Sequence, residues 1–392
     1  MKASLKSRLE ILWVAAKLGL TSFGGPIAHL GYFHNEYVKR KQWIDDKSYA
    51  DLVALSQFLP GPASSQVGIG IGIMRAGIWG GLLAFIGFTL PSVLALIAFA
   101  ALVQTFPIGG AGWLHGLKLV AVAIVAQAVA GMAQKLAPDK SRMTIAVIAA
   151  AASLLWQSPF SHVVLIAGAG LAGSLLYTVK ETNARPSFRL PISKIGGAAC
   201  LFLFFALLIL LPVLSYLFPV EWLVLSDSFY RSGSLVFGGG HVVLPLLEKE
   251  LVPGGWVSKD MFLEGYGAAQ AVPGPLFTFG AYLGAVIGGW PMALLATAAI
   301  FLPGFLLIAG ALPFWHSIQR FKRVQGAFMG INAAVVGLLL GSFYYPIWTG
   351  SVLGPADFGF AALLFCLLVY WKCPPWLVVI AGAAGGAALS LL

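Results

Sequence analysis

The residues that most constrain this chain are its helix breakers. FGGP at 23–26 and PGP at 60–62 interrupt segments otherwise apolar enough to lie in a lipid bilayer, and the same punctuation returns as FGGG at 237–240 and PGP at 273–275. The spacing returns as well: 37 residues separate Phe23 from Pro60, and 36 separate Phe237 from Pro273. Inside a bilayer a broken helix leaves N–H and C=O groups unpaired, at several kcal/mol each. Such breaks are tolerated only where protein or a water-lined cavity satisfies them. The four breaks are therefore expected to face one another in the interior of a bundle.

The bilayer setting follows from composition. The 392 residues are 59% hydrophobic and 10% charged, with mean hydropathy +0.90, where a soluble domain carries about 25% charged residues. Apolar stretches at 82–106, 114–134, 197–218, 289–313 and 375–392 each match the ~20 residues of a crossing helix. The fold class this implies is an all-α polytopic membrane protein. The basic start KASLKSRLE (2–10) leads into an amphipathic helix and not into a short apolar core with a cleavage site, so no removable signal is expected. The net charge of +10 fits Lys and Arg gathered in cytoplasmic loops and requires no nucleic acid. Cys200, Cys366 and Cys373 lie in or beside apolar segments without metal-ligand spacing, which reads as packing; no metal site and no cofactor is expected. No HExxH, GxxxxGK[ST] or GxSxG motif occurs, so energy coupling would need an ion gradient or a partner.

The chain also repeats itself. Shifted by 213 or 214 residues, WIDDKSYADLVALSQFLPGP (43–62) lies over WVSKDMFLEGYGAAQAVPGP (256–275) without a gap, and KLGLTSFGGP (17–26) lies over RSGSLVFGGG (231–240). Trp43 meets Trp256, Asp51 meets Glu264, Gln57 meets Gln270, Lys17 meets Arg231 and Glu36 meets Glu250. Several of these matches are polar or helix-breaking, so shared hydrophobicity does not explain them. Loops rich in Lys and Arg (1–8, 39–47, 135–142, 180–194, 320–323) alternate with poor or balanced ones (105–112, 157–161, 248–260, 346–356). With the basic loops cytoplasmic, the N-terminus is cytoplasmic, the long helix from Arg75 to Phe106 runs outward, and its counterpart at 289–313 runs inward. This reads as an inverted-topology internal repeat with broken helices at the repeat interface. Residues 1–180 form the first transmembrane repeat, 181–221 a linker with one extra crossing helix (197–218), and 222–392 the second, inverted repeat. Residues 9–38 and 48–75 are then re-entrant hairpins from the cytoplasmic side, and 222–250 and 260–288 enter from outside. Broken segments that each cross fully have the same parity and stay open as an alternative.

Proline favours the first turn of a helix, so Pro26 and Pro62 are expected to start half-helices at PIAHLGYFHNEYV and PASSQVGIGIGIM. Each start presents free N–H groups and the positive end of a helix dipole, which together suit an anion. Ser64, Ser65 and Gln66 add donors after Pro62, as Thr278 does after Pro275, and Gly24, Gly25, Gly238, Gly239 and Gly240 let a ligand approach the backbone. With Phe23, Pro60, Gly61, Phe237, Pro273 and Gly274 they form the candidate substrate-binding set. Lys17 and Arg231, each six residues before its Phe-Gly-Gly, are candidate countercharges for a dianion; the competing reading is that they snorkel to the interface. Asp51 and Glu264, nine residues before their PGP, are candidates for proton coupling, or else partners of the cations, or solvated charges near a helix start. Glu36 and Glu250 are expected near the membrane surface. His241, directly after FGGG, can donate to an anion or titrate, although its repeat partner is Ile27. The bland alternative to the whole set is Gly and Pro that merely kink helices for packing; two symmetry-related pairs of breaks argue against it.

SFGGPIAHLGYFHNEYV (22–38), QFLPGPASSQVGIGIG (57–72), VFGGGHVVLPLLE (236–248) and QAVPGPLFTFGAYLG (270–284) resemble the chromate ion transporter family in its long, two-domain form, over about residues 8–390. The resemblance implies export of chromate across the cytoplasmic membrane, driven by the proton motive force and conferring chromate resistance, with sulfate as competitor. Gly240 stands where the first half has Pro26, which leaves open whether both first hairpins begin their half-helices alike. The expectation is a secondary active exporter of tetrahedral oxyanions in the lipid bilayer, with protons as coupling ion and a homodimer as one compatible assembly. A general sulfate or oxyanion transporter and a passive anion channel are the alternatives; a membrane reductase or transferase has no readable motif behind it.

Overall fold

Four helices, Leu5–Thr21, Asp46–Phe58, Glu221–Leu235 and Lys259–Ala269, end at a glycine or proline break, and the chain turns back there. The computed structural model describes residues 5–105, 112–156, 161–177, 192–237, 239–315 and 322–390. Gly238 and several of the loops used above to orient the chain fall outside them. Among the described residues there is no β-strand. Five stretches of the described residues are long and apolar enough to cross a membrane: Ala63–Thr105, Gly112–Leu136, Lys194–Leu217, Leu276–Phe314 and Arg323–Ser351. The chain is an all-α polytopic membrane protein, and side chains such as Trp13, Trp79, Phe202, Tyr216 and Trp290 stand exposed on its flanks.

In the first half, α1 (Leu5–Thr21) stops at FGGP, and α2 (Gly25–Phe33) returns beside it with a π-helical extension over His34–Arg40. Lys41 Nζ reaches Glu10 (2.8 Å) and Lys17 Nζ reaches Glu36 (3.6 Å) across this hairpin. α3 (Asp46–Phe58) stops at PGP and returns as the first limb of α4 (Ala63–Thr105). Leu52 covers Gly70, which puts the turn at Gly61. A further reversal lies within α4, where Ala76 (φ −143°, ψ 24°) and Gly77 (φ 66°, ψ −161°) leave the helical region. Gly72 therefore lies against Gly80 and Ala84, although eight residues of straight helix span roughly 12 Å. The positive φ explains the glycine at 77, since an L side chain in that conformation costs about 1–2 kcal/mol. The limb at 63–75 is roughly 20 Å long, short of the ≈ 30 Å hydrocarbon core. α5 (Gly112–Leu136), α6 (Lys140–Leu155) and α7 (Ser161–Leu176) follow, and α8 (Lys194–Leu217) leads to the second half.

The second half reproduces this path. α9 (Glu221–Leu235) breaks at FGGG and continues through a 3₁₀ turn (Gly240–Val242) into α10 (Val243–Leu251). α11 (Lys259–Ala269) breaks at PGP and continues through a 3₁₀ turn (Leu276–Thr278) into α12 (Phe279–Ala311). Tyr282 covers Gly265 and donates to Met261 O (3.1 Å), closing that hairpin. Gly288 (φ −146°, ψ 28°) and Gly289 (φ 71°, ψ −165°) reverse α12 with dihedrals within 5° of those in α4. The duplication in the sequence is thus a duplication of backbone geometry. α13 (Lys322–Ser342), α14 (Pro355–Val369) and α15 (Pro375–Leu389) complete the chain.

The halves are interlocked. α5 packs against α14 and α15, and α13 packs against α6 and α7. Both crossings run over small residues four apart: Gly112 and Gly116 on Gly382 and Gly386, and Gly326 and Gly330 on Ala169 and Gly173. Small residues at that spacing let helix backbones approach closely in lipid. A methyl on Gly116 would overlap the Gly382 carbonyl, whereas one on Gly131 meets open space. Gly116→Val is therefore expected to destabilise the protein by at least about 1–3 kcal/mol, and Gly131→Ala to be neutral or stabilising by up to about 1 kcal/mol; melting curves in detergent check both. In the turn before α6, Asp139 accepts from Arg142 N–H (2.9 Å), from Ser141 Oγ (2.7 Å) and from Arg142 Nε (2.6 Å). Those bonds pull its carboxylate down to about 2, so this cap holds above the ordinary carboxylate range and is lost as pH falls toward that value.

Candidate oxyanion site

The four breaks meet. Gly61 N–H donates to Val236 O (2.7 Å) and Gly274 N–H donates to Ser22 O (3.0 Å). Each PGP tip is thereby bonded to the residue that leads into the other half's Phe-Gly-Gly. Gly61 and Gly274 occupy equivalent positions and share a positive φ, 117° and 110°. The two bonds are reciprocal, so the two junctions occupy equivalent places in the repeat. A methyl placed on Gly240 would meet Pro26 Cγ and Leu276 Cβ at 3.6 Å each, so the starts of α2, of the turn into α10 and of the turn into α12 converge on one point. The twisted entry to α2 needs Gly24 (φ 94°) and Gly25 (φ 77°) in sequence.

A cavity of about 70 Å³ opens at this convergence. The first half supplies Ser22, Gly24 and Gly25; the second supplies His241, Gln270, Gly274 and Leu276; Ile124 and Gln127 of α5 and Pro375 close it. One water needs roughly 10–15 Å³ by this kind of measure, so the space holds several waters or one small tetrahedral ion. Neither the start of α2 nor the turn at Leu276 carries a side-chain cap, which leaves their first N–H groups available to an anion. Ser22 is fully buried, and among the described residues neither its Oγ nor Gln270 Nε2 has a hydrogen-bond partner. Orphaned donors on a cavity wall are destabilising until something in the cavity accepts from them. His241 Nδ1 lies 2.8 Å from Tyr266 OH; with the tyrosine donating, the histidine proton sits on Nε2.

Of the residues singled out from sequence, Gly24, Gly25, Gly274 and His241 line this cavity. Pro26 and Gly240 pack behind it, and Gly239 lies beside Met132. Phe23 turns outward to Trp376 (ring centroids 6.4 Å). Thr278 donates its hydroxyl proton to Pro275 O (2.7 Å), within its own turn, and is not free to donate to a ligand; Pro273 precedes the bonded Gly274. Pro60, Gly61, Pro62, Ser64, Ser65 and Gln66 belong to the symmetry-related junction. There Gln66 Nε2 donates to Pro60 O (2.9 Å) and to Gly304 O (3.3 Å), while Ser64 Oγ pairs with His29 Nδ1 (3.2 Å). Ser65 Oγ is buried without a partner. Phe237 packs on Phe328 (5.8 Å), which lies on Phe58 (3.7 Å).

Lys17 and Arg231 do not line the cavity. Lys17 pairs with Glu36, which also accepts from Arg40 (3.0 Å). Arg231 holds Glu250 through Nη1 and Nη2 (2.9 Å each) and Asp227 through Nε (3.0 Å). The reason is that a charge taken from water requires a partner, and each hairpin supplies one from its returning arm. Glu36, between its two cations, is only 7% exposed. Asp51 and Glu264 also stand away from the cavity; Glu264 is buried on α11, within electrostatic reach of the Lys118–Asp260 pair. Ser22, Gln127, Gln270 and Tyr266 were not among the expected site residues. Their signals were a lone amide in AIVAQAVAG for Gln127 and, for Gln270, its repetition of Gln57 three residues before PGP.

Comparison with known proteins gives the family. The family model described as chromate transporter matches residues 9–174 and again 223–387, once for each half. A chromate transport protein of Pseudomonas aeruginosa is 30% identical over 336 residues, covering 82% of this chain and 77% of the relative. One from Cupriavidus metallidurans is 27% identical over 384 residues, covering 96% and 91%. An uncharacterized transporter of Methanocaldococcus jannaschii is 25% identical over 343 residues, covering 86% and 84%. No solved structure matches. With both halves matched and the breaks of both converging on one cavity, the chain belongs to the chromate transporter family.

Proposed function

We propose that this protein is a secondary active exporter of chromate in the cytoplasmic membrane, coupled to the proton motive force and conferring chromate resistance. The observation that carries the reading is the cavity where two uncapped helix starts, Gly24–Gly25 and Gly274–Leu276, converge from opposite halves. Helix starts and neutral donors recognise charge and shape and not the central atom, so sulfate is expected to compete. The two relatives from Pseudomonas and Cupriavidus are named as chromate transport proteins, which favours chromate as the cargo here. The concentration of Lys and Arg in alternate loops supports a reading with the N-terminus in the cytoplasm and the second half as an inverted copy of the first.

Proteoliposomes carrying the purified protein test this. Chromate flux is expected to saturate, to be inhibited by sulfate, to accumulate against its gradient under an imposed pH difference, and to collapse when that difference is dissipated. Flux that only follows the chromate gradient would make the protein a passive channel. Absence of chromate flux, with sulfate or molybdate carried instead, would reassign the cargo.

A further inference from the structure

The cavity presents a charge problem that the ion pairs sharpen. Among the described residues its wall holds no lysine or arginine, and the two nearest candidates by sequence, Lys17 and Arg231, are tied to carboxylates elsewhere. A buried dianion without countercharge is too costly to bind. A helix start carries roughly +0.5 of a charge, so the starts of α2 and of the α12 turn together contribute roughly +1. One positive charge is still needed. His241 is the titratable side chain on the cavity wall.

We propose that the cavity takes up one tetrahedral oxyanion together with one proton, that the proton resides on His241, and that Tyr266 holds the ring in place. The hydrogen-bond geometry serves both states. With the ring neutral, Tyr266 O–H donates to Nδ1; with the ring charged, Nδ1–H donates to the tyrosine oxygen across the same 2.8 Å and Nε2–H is aimed at the anion. Ser22 Oγ and Gln270 Nε2, buried with no hydrogen-bond partner among the described residues, complete the neutral part of the cage. The groups facing His241 do not supply a competing charge. Tyr266 is the titratable neighbour in contact. α11 carries Lys259, Asp260 and Glu264 before Tyr266, α10 carries Glu248, Lys249 and Glu250 more than a turn further along, α13 carries Lys322 and Arg323 at its start, α5 carries His115, Lys118 and Lys135, and the Leu276–Thr278 turn carries none; among the described residues none of these lines the cavity.

The symmetry-related junction is built differently: its histidine, His29, stands two residues further along α2 than Ile27, is held through Nδ1 by Ser64 Oγ (3.2 Å) and packs edge-on against Phe88 (5.5 Å). Ile27 stands at the position equivalent to His241. The Gln66 amide folds over Gly61 and satisfies Pro60 O and Gly304 O, and Phe58, Phe237 and Phe328 pack beside it. One anion per chain is expected, and the duplicated fold is functionally asymmetric.

The inference rests on the chromate reading, and one experiment separates the two. Chromate binding is measured on the full chain in nanodiscs between about pH 5 and 8, for wild type and for His241→Gln. Chromate itself takes up a proton in this range, but that contribution cancels in the ratio of the two affinities. The ratio is expected to grow as pH falls, approaching about tenfold per pH unit where His241 is unprotonated in the empty protein. Tyr266→Phe leaves the charged ring without its acceptor, so its curve is expected to keep the slope and move to lower pH; a purely structural role would not move it. A pH-independent ratio overturns the proposal and puts the proton on the anion, as does a stoichiometry of two anions per chain for the claim of a single site. Should His241→Gln elute as aggregate, the Tyr266→Phe midpoint decides. Wild-type protein that binds no chromate at any pH overturns the functional reading itself.

Discussion

Gly274→Ala is expected to reduce chromate flux in proteoliposomes to background. Gly274 is at φ 110°, where an L side chain is strained, at a cost of order 1–3 kcal/mol. An added methyl would also lie 2.8 Å from Ser92 Oγ and 3.2 Å from Ser92 Cβ, so the backbone must shift. The group that shifts is the amide whose 3.0 Å bond to Ser22 O ties the second PGP to the first FGGP, and with it the cavity wall. Gly255→Ala is the control: its φ is 73°, but a methyl there meets nothing within 4 Å, so it should cost stability without stopping transport. Adding Ser92→Gly to Gly274→Ala removes the collision and leaves the dihedral strain, and partial recovery of flux is expected. Full activity of Gly274→Ala alone would mean that the junction does not shape the site.

Arg231→Ala is expected to be the most destabilising single change in the second half. It leaves Glu250 and Asp227, whose side chains are 18% and 6% exposed, side by side without their cation. Removing one member of a buried ion pair typically costs about 3–5 kcal/mol. The test is a rescue. If Arg231 only compensates those carboxylates, the triple variant Arg231→Met, Asp227→Asn, Glu250→Gln should regain most of the lost melting temperature and chromate flux. If Arg231 itself binds the anion, stability returns and flux does not. Lys17→Ala should be mild by comparison, within about 1 kcal/mol, because Lys17 is 46% exposed and Glu36 keeps Arg40.

The breaks and the repeat were legible because glycine, proline and polar residues at fixed spacing have few other uses in lipid. The separation of Lys17 from Glu36 equals that of Arg231 from Glu250, 19 residues in each half, and that equality was the available sign of an ion pair across each hairpin. The reversals at Gly77 and Gly289 fall within two residues of where the re-entrant reading ended its hairpins, at 75 and 288; what the sequence did not show is that each is made by one pair of non-helical residues inside an otherwise continuous apolar run. The choice of one junction over the other was also hidden. Sequence showed Gln66 as a donor after PGP, but not that its amide is consumed by Pro60 and Gly304, contacts that exist only once the halves are assembled.

The crossing of α5 over α14 and α15, and of α13 over α6 and α7, bears on how the protein is made. When synthesis has reached the end of α7, the α5 glycine face has met none of the helices that cover it in the finished molecule. α6 and α7 likewise wait for α13. Maturation therefore depends on the carboxyl-terminal helices arriving to clasp segments inserted long before, and a chain truncated ahead of Pro355 would leave Gly112 and Gly116 bare to lipid.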